Sequence, residues 1–78
     1  MNPRVKSAKP LSDYKIDVTF SNDENGIFDL TKYLDFGVFK ELLNEDLFKN
    51  FKIVYGTIEW ATGQDLCPDT IYLESIKN

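Results

Sequence analysis

Five residues near the C-terminal end of the sequence carry the side chains best suited to chemistry. Trp60, Asp65, Cys67, Asp69 and Tyr72 all fall within GTIEWATGQDLCPDTIY, residues 56–72, which also holds two of the four Gly residues. Asp65 and Asp69, four positions apart, are a candidate carboxylate pair for acid–base work. Cys67 is a candidate nucleophile, because a helix starting at Pro68 could lower a thiol pKa. The chain has no histidine to act as its base, and a free Cys commonly behaves as a small buried hydrophobe. Cys67 is therefore expected to be packed inside. Pro68 followed by Asp69 also reads as a helix start, with Pro at the first helical position and an acid complementing the macrodipole. Local capping is the favoured role for the two acids.

The aromatic residues have two possible uses. Trp and Tyr anchor binding surfaces, and in a short chain they are also the largest pieces of core. Trp60 is expected in the core with its N–H near the rim, while Tyr33, Tyr55 and Tyr72 stay open because a phenol OH favours water. The binding candidates are thus Trp60, Asp65, Asp69 and Tyr72, with no catalytic residue and no cofactor expected.

Other motifs weaken under the same test. SNDENG, residues 21–26, matches the opening of a calcium loop. Position twelve of such a loop needs a bidentate Glu, and here it is Lys32. A hairpin turn is the better reading. Zinc needs Cys and His clusters, which one Cys and no His cannot supply, so no metal site is expected. Gly37, Gly56 and Gly63 stand alone, so nothing Gly-rich cradles phosphate.

These residues must be positioned by a chain of 78 residues, enough for one domain, 1–78, with a small core. Its 42% hydrophobic and 14% aromatic content is that of a folded protein. A single Cys excludes an internal disulfide. The N-terminus has no apolar run of a secretory leader, and no stretch approaches the ~20 apolar residues of a membrane span. No membrane association is expected, and the expected location is cytoplasmic. The net charge is −4, which weighs against binding nucleic acid directly through its phosphates. That charge divides into +2 over residues 1–20 and −6 over the rest, leaving a basic edge that could meet an acidic partner or another copy.

Tyr14, Ile16, Val18 and Phe20 alternate with polar residues, the period of a half-buried strand. SNDENG ends in Asn-Gly and should turn this strand into Ile27–Leu30. Residues 4–8, between Pro3 and Pro10, read as an edge strand. Val38, Phe39, Leu42 and Leu43 then take helical spacing, starting at Asp35 or Gly37 and interrupted by Asn44-Glu45-Asp46. Leu47 and Phe48 ride a second short helical turn. Strands 51–55 and 57–61 follow, reversed at Tyr55-Gly56. Pro68 opens a final element whose Ile71, Leu73 and Ile76 are expected to return to the core. The expectation is an α+β domain in the order β-β-β-α-β-β-short α. A mostly antiparallel sheet of about four to five strands has one face covered by one main helix.

The order Y-x-I-x-V-x-F, I-F-D-L, G-V-F-x-x-L and L-F-x-x-F, closing with G-T-I-E-W, G-x-D-L and P-D-T-I-Y, resembles the small bacterial family of domains of unknown function number 2442. The resemblance covers residues 4–73 and is most specific at Trp60, Gly63, Asp65, Leu66, Pro68, Asp69, Ile71 and Tyr72. Ala61 stands where that family commonly has Pro or another residue, a minor departure. The resemblance implies a compact α+β domain and no established activity. Relatives resemble two contexts. Some are encoded beside another small protein, as in toxin–antitoxin pairs, and others carry a helix-turn-helix that is not expected here.

Three functional expectations follow. The first is a non-enzymatic protein-interaction module that binds a small protein from an adjacent gene, or self-associates as a homodimer through its sheet edge. The second is a small-ligand binder or enzyme using Asp65, Asp69 and Tyr72. The third is a regulatory domain of a transcription factor without its helix-turn-helix.

Overall fold

A computed structural model describes residues 2–77. The strand period predicted for residues 14–20 is realised in β2, Lys15–Phe20, where Ile16, Val18 and Phe20 are buried and the residues between them face out. β1, Val5–Pro10, pairs antiparallel with β2, and Asn25–Asp29 forms β3 on the other side. The turn between β2 and β3 lies earlier than Asn-Gly. It spans residues 21–24, with Asp23 taking the left-handed φ of 69°.

Asn25-Gly26 is instead the start of β3. Gly26 is required there for a different reason. The sheet is completed by β6, Ile76–Lys77. A Cβ on Gly26 would stand 3.0 Å from the Ile76 carbonyl oxygen and 3.3 Å from the Ser75 side chain. A side chain there would press on the backbone of this last strand where it closes against β3. The four-stranded order is β1-β2-β3-β6.

The expected main helix over Val38 to Leu43 is a 3-10 segment, Gly37–Leu43. Three residues per turn keep Phe39 and Leu42 on one face, and those two turn inward. Val38 and Leu43 fall on the other faces and are 65% and 52% exposed. Asn44 ends the segment because its side-chain oxygen accepts from the amides of Asp46 and Leu47. It thereby caps α1, Glu45–Lys49, the expected second helical turn, which carries Phe48 into the core.

β4, Phe51–Val54, and β5, Thr57–Trp60, form a separate antiparallel hairpin with Tyr55-Gly56 as its two-residue turn. α2, Pro68–Glu74, follows. One cluster holds the core, drawn from β1, β2, β3, the 3-10 segment, α1, β5 and α2. Trp60 fills its centre. Its indole N–H donates to the Phe48 carbonyl at 2.8 Å, and its ring meets Phe39 and Phe51 edge-on. The architecture is antiparallel α+β, as predicted, with the strands divided into sheets of four and two. Leu73 and Ile76, expected in the core, are both exposed. Only Ile71 of that trio is buried: Leu73, two positions on, is turned to another face of α2, and Ile76 lies beyond the helix in β6 with its side chain outward.

Candidate functional site

The stretch 56–72 folds into a turn, a strand, a pinned loop and a helix. Alternation along β5 sends Ile58 and Trp60 inward and leaves Thr57 and Glu59 on the opposite face. The loop beyond β5 is held at both ends. The Trp60 amide donates to the Gln64 carbonyl at 2.8 Å, and the Thr57 hydroxyl donates to the Leu66 carbonyl at 2.5 Å. Gln64 is buried, and its side-chain amide donates to the Val38 carbonyl and the Glu41 carboxylate at 2.6 and 2.9 Å. Buried polar groups need such partners. Gln64 thus fixes the loop to the 3-10 segment, a role the sequence does not announce.

α2 begins as predicted, with Pro68 in the first turn and Asp69 beside it. Asp69 is exposed. Cys67 occupies the N-cap position with no side-chain capping bond and is exposed. The expected packed thiol is therefore corrected. As the residue before Pro68 it is confined to extended backbone, φ −64° and ψ 132°, and its side chain is left outside the core.

Tyr72 and Glu74 tie α2 to the rest of the domain. The Tyr72 hydroxyl donates to Glu24 at 2.5 Å, and this bond holds the Glu24 carboxyl below its ordinary value while raising the Tyr72 phenol. The Tyr72 ring packs edge-on against Phe20 at 4.9 Å, with the Lys77 ammonium 4.0 Å from its centroid. The Tyr33 hydroxyl donates to Glu74 at 2.7 Å. Burial, reinforced by this bond, pushes the Tyr33 phenol up to about 12. The Lys32 ammonium pairs with Glu74 and, with Tyr33, lowers its carboxyl.

Of the sequence candidates, Trp60 is buried, and Tyr72 and Asp69 lie along α2. Asp65 instead meets Glu59 through an isolated antiparallel bridge. The two acids line a groove of about 660 Å³ together with Val54, Thr57, Leu66 and Pro68. Cys67 and Tyr55 line it as well. Tyr55 is 96% exposed, yet its backbone is left-handed at φ 52°. Glu59 and Tyr55 are the groove residues that sequence reasoning missed. The signals for them were the outward phase of T-I-E-W and a bulky residue where a two-residue turn favours Asn. Among the described residues, no group of three or more His, Cys, Asp or Glu could hold a metal ion, and no helix is long and apolar enough to cross a membrane.

These features define a small antiparallel α+β domain closed by a W-x-x-G-x-D-L-x-P-D-x-I-Y segment. A family model described as a protein of unknown function, DUF2442, matches residues 5–77, and the chain belongs to that family. No curated protein and no solved structure matches the chain.

Proposed function

We propose that the chain is a non-enzymatic protein-interaction module of the bacterial cytoplasm, the partner-binding component of a two-gene system. The observation that carries this reading is the amount of large apolar side chain left on the surface of so small a domain. Phe36, Val38 and Leu43 are exposed within one eight-residue stretch, Ile53 and Tyr55 on the hairpin, and Leu73 and Ile76 at the C-terminal end. Apolar groups gathered together on a surface are a mark of interaction sites, as in the stretch 36–43, and aromatic residues are enriched where partners meet.

Self-association through the edge of β1 is the weaker form of this reading. The Val5 amide already donates to the Gly56 carbonyl at 2.8 Å, the pairing slips at Lys6, and Pro10 has no amide to offer. A small-ligand reading keeps Asp65, which lines the groove, while Asp69 and Tyr72 do not line it. Co-expression with the product of the adjacent gene tests the proposal. Co-elution on size exclusion with saturable heat on calorimetric mixing supports it, and separate elution with no heat overturns it.

A further inference from the structure

The groove beside the β4–β5 turn combines three features that point to one kind of occupant. The first is charge. Glu59 and Asp65 oppose each other across an antiparallel bridge, a position where like charges repel. They are the charged residues lining the groove, and among the described residues neither carboxylate has an ion-pair partner. Lys52 faces Glu59 from β4, but it is exposed and lines the neighbouring hollow instead. A cation brought in from outside would relieve the repulsion. The second feature is apolar lining from Val54, Leu66 and Pro68, which a bare amine would leave unused.

The third is Tyr55. Left-handed backbone disfavours bulky side chains, and the other strained positions have local reasons. Asp13 and Asp23, at φ 59° and 69°, are of a type that tolerates this conformation. Tyr14, at φ 60°, is anchored by its hydroxyl bond to the Leu43 carbonyl and by Phe48 at 5.4 Å. Tyr55 at 96% exposure has no comparable anchor inside the domain. An exposed ring held in strain along the lining of a groove is placed to pack on something that enters it.

We propose that this groove is the docking site for a Lys- or Arg-bearing segment of a partner protein, with Glu59 and Asp65 receiving the cation and Tyr55 packing over it. The proposal rests on the interaction-module reading and names its surface. Arg4 and Lys6, at the basic edge of the chain itself, make poorer occupants. Lys6 is engaged by Asp23 at 3.0 Å, and Arg4 packs beside the hairpin turn, where a Cβ on Gly56 would stand 2.7 Å from its side chain. Edge-to-groove contact between copies would also be heterologous, building a ring or an open filament rather than a two-fold dimer.

The test is an amide-shift titration of the ¹⁵N-labelled protein with the acetylated tetrapeptide Leu-Lys-Leu-Lys amide. Leu-Glu-Leu-Glu amide and n-butylamine serve as controls. The expected result is saturable shifts confined to residues 54–59 and 65–68. Glu59→Gln with Asp65→Asn should weaken them about tenfold, the scale of losing a charge-assisted contact, and both controls should be silent. Scattered shifts, equal response to either control, or indifference to the double substitution overturns the proposal. So does concentration-dependent self-association that the double substitution abolishes, which would assign the groove to a second copy. If the adjacent gene's product binds wild type and double variant equally, the groove assignment fails while the module reading stands. If that product does not bind and the peptide does, the module reading fails instead.

Discussion

Replacing Tyr55 with Asn isolates a residue that contributes nothing visible to the fold. A non-glycine residue in left-handed backbone costs about 1–2 kcal/mol. Asn recovers about 0.5–1 kcal/mol of this by local hydrogen bonding, and Asn-Gly is the preferred pair for a two-residue hairpin turn. Against the gain stands the little surface that Tyr55 buries. At 96% exposure the covered remainder is about 8 Å², worth about 0.2 kcal/mol. The net expectation is about 0.5 kcal/mol of added stability, or a melting temperature about 2–4 °C higher for a domain of this size. Thermal melts by circular dichroism, with an amide spectrum confirming that β4 and β5 remain paired, measure it directly. A lower melting temperature with the hairpin intact would refute the reasoning, since Tyr55 would then hold a contact that the structure does not contain.

Other substitutions and conditions probe the rest of the fold. Gly26→Ala should lose about 1–3 kcal/mol in chemical denaturation by overpacking against β6, since the Ile76 carbonyl stands 3.0 Å from the new methyl group. Trp60→Phe should lose about 2–4 kcal/mol, read the same way, because it leaves a cavity and orphans the Phe48 carbonyl. Acid should weaken the ties of α2. Glu24 and Glu74 are lowered from 4.5, so their contribution is complete above that value and lost as pH falls through the lower folded-state values, and melts below it should drop. At the basic end the Tyr33 phenol rises from 10.0 to about 12. Its contribution is complete below 10 and lost as pH climbs through about 12, which melts over that interval check.

The strands were legible because period-two burial is written directly into Y-x-I-x-V-x-F and T-I-E-W. The same holds for the Tyr55-Gly56 turn and the helix start at Pro68-Asp69, where single residues impose backbone angles. The central helix was misread because Val38, Phe39, Leu42 and Leu43 fit a 3.6-residue period. The capping side chain of Asn44 stops that helix and a three-residue period takes its place. Gly26 looked like a turn glycine because its function depends on β6, fifty residues later, and no local pattern encodes that contact. Cys67 was assigned by the habits of free cysteines, whereas the backbone imposed by Pro68 holds it outside. Of the groove residues, Asp65 stood out in the sequence only for its spacing from Asp69, which does not line the groove. Its partner Glu59 required knowing that β5 and the following loop lie side by side.

The role proposed for this domain is to grip a protein partner through Glu59 and Asp65. Calorimetric titration of the adjacent gene's product into wild type and into the Glu59→Gln, Asp65→Asn variant measures this most directly. Saturable binding to wild type, weakened about tenfold in the variant, is the predicted result. Absence of binding, or equal affinity for the two proteins, would contradict it.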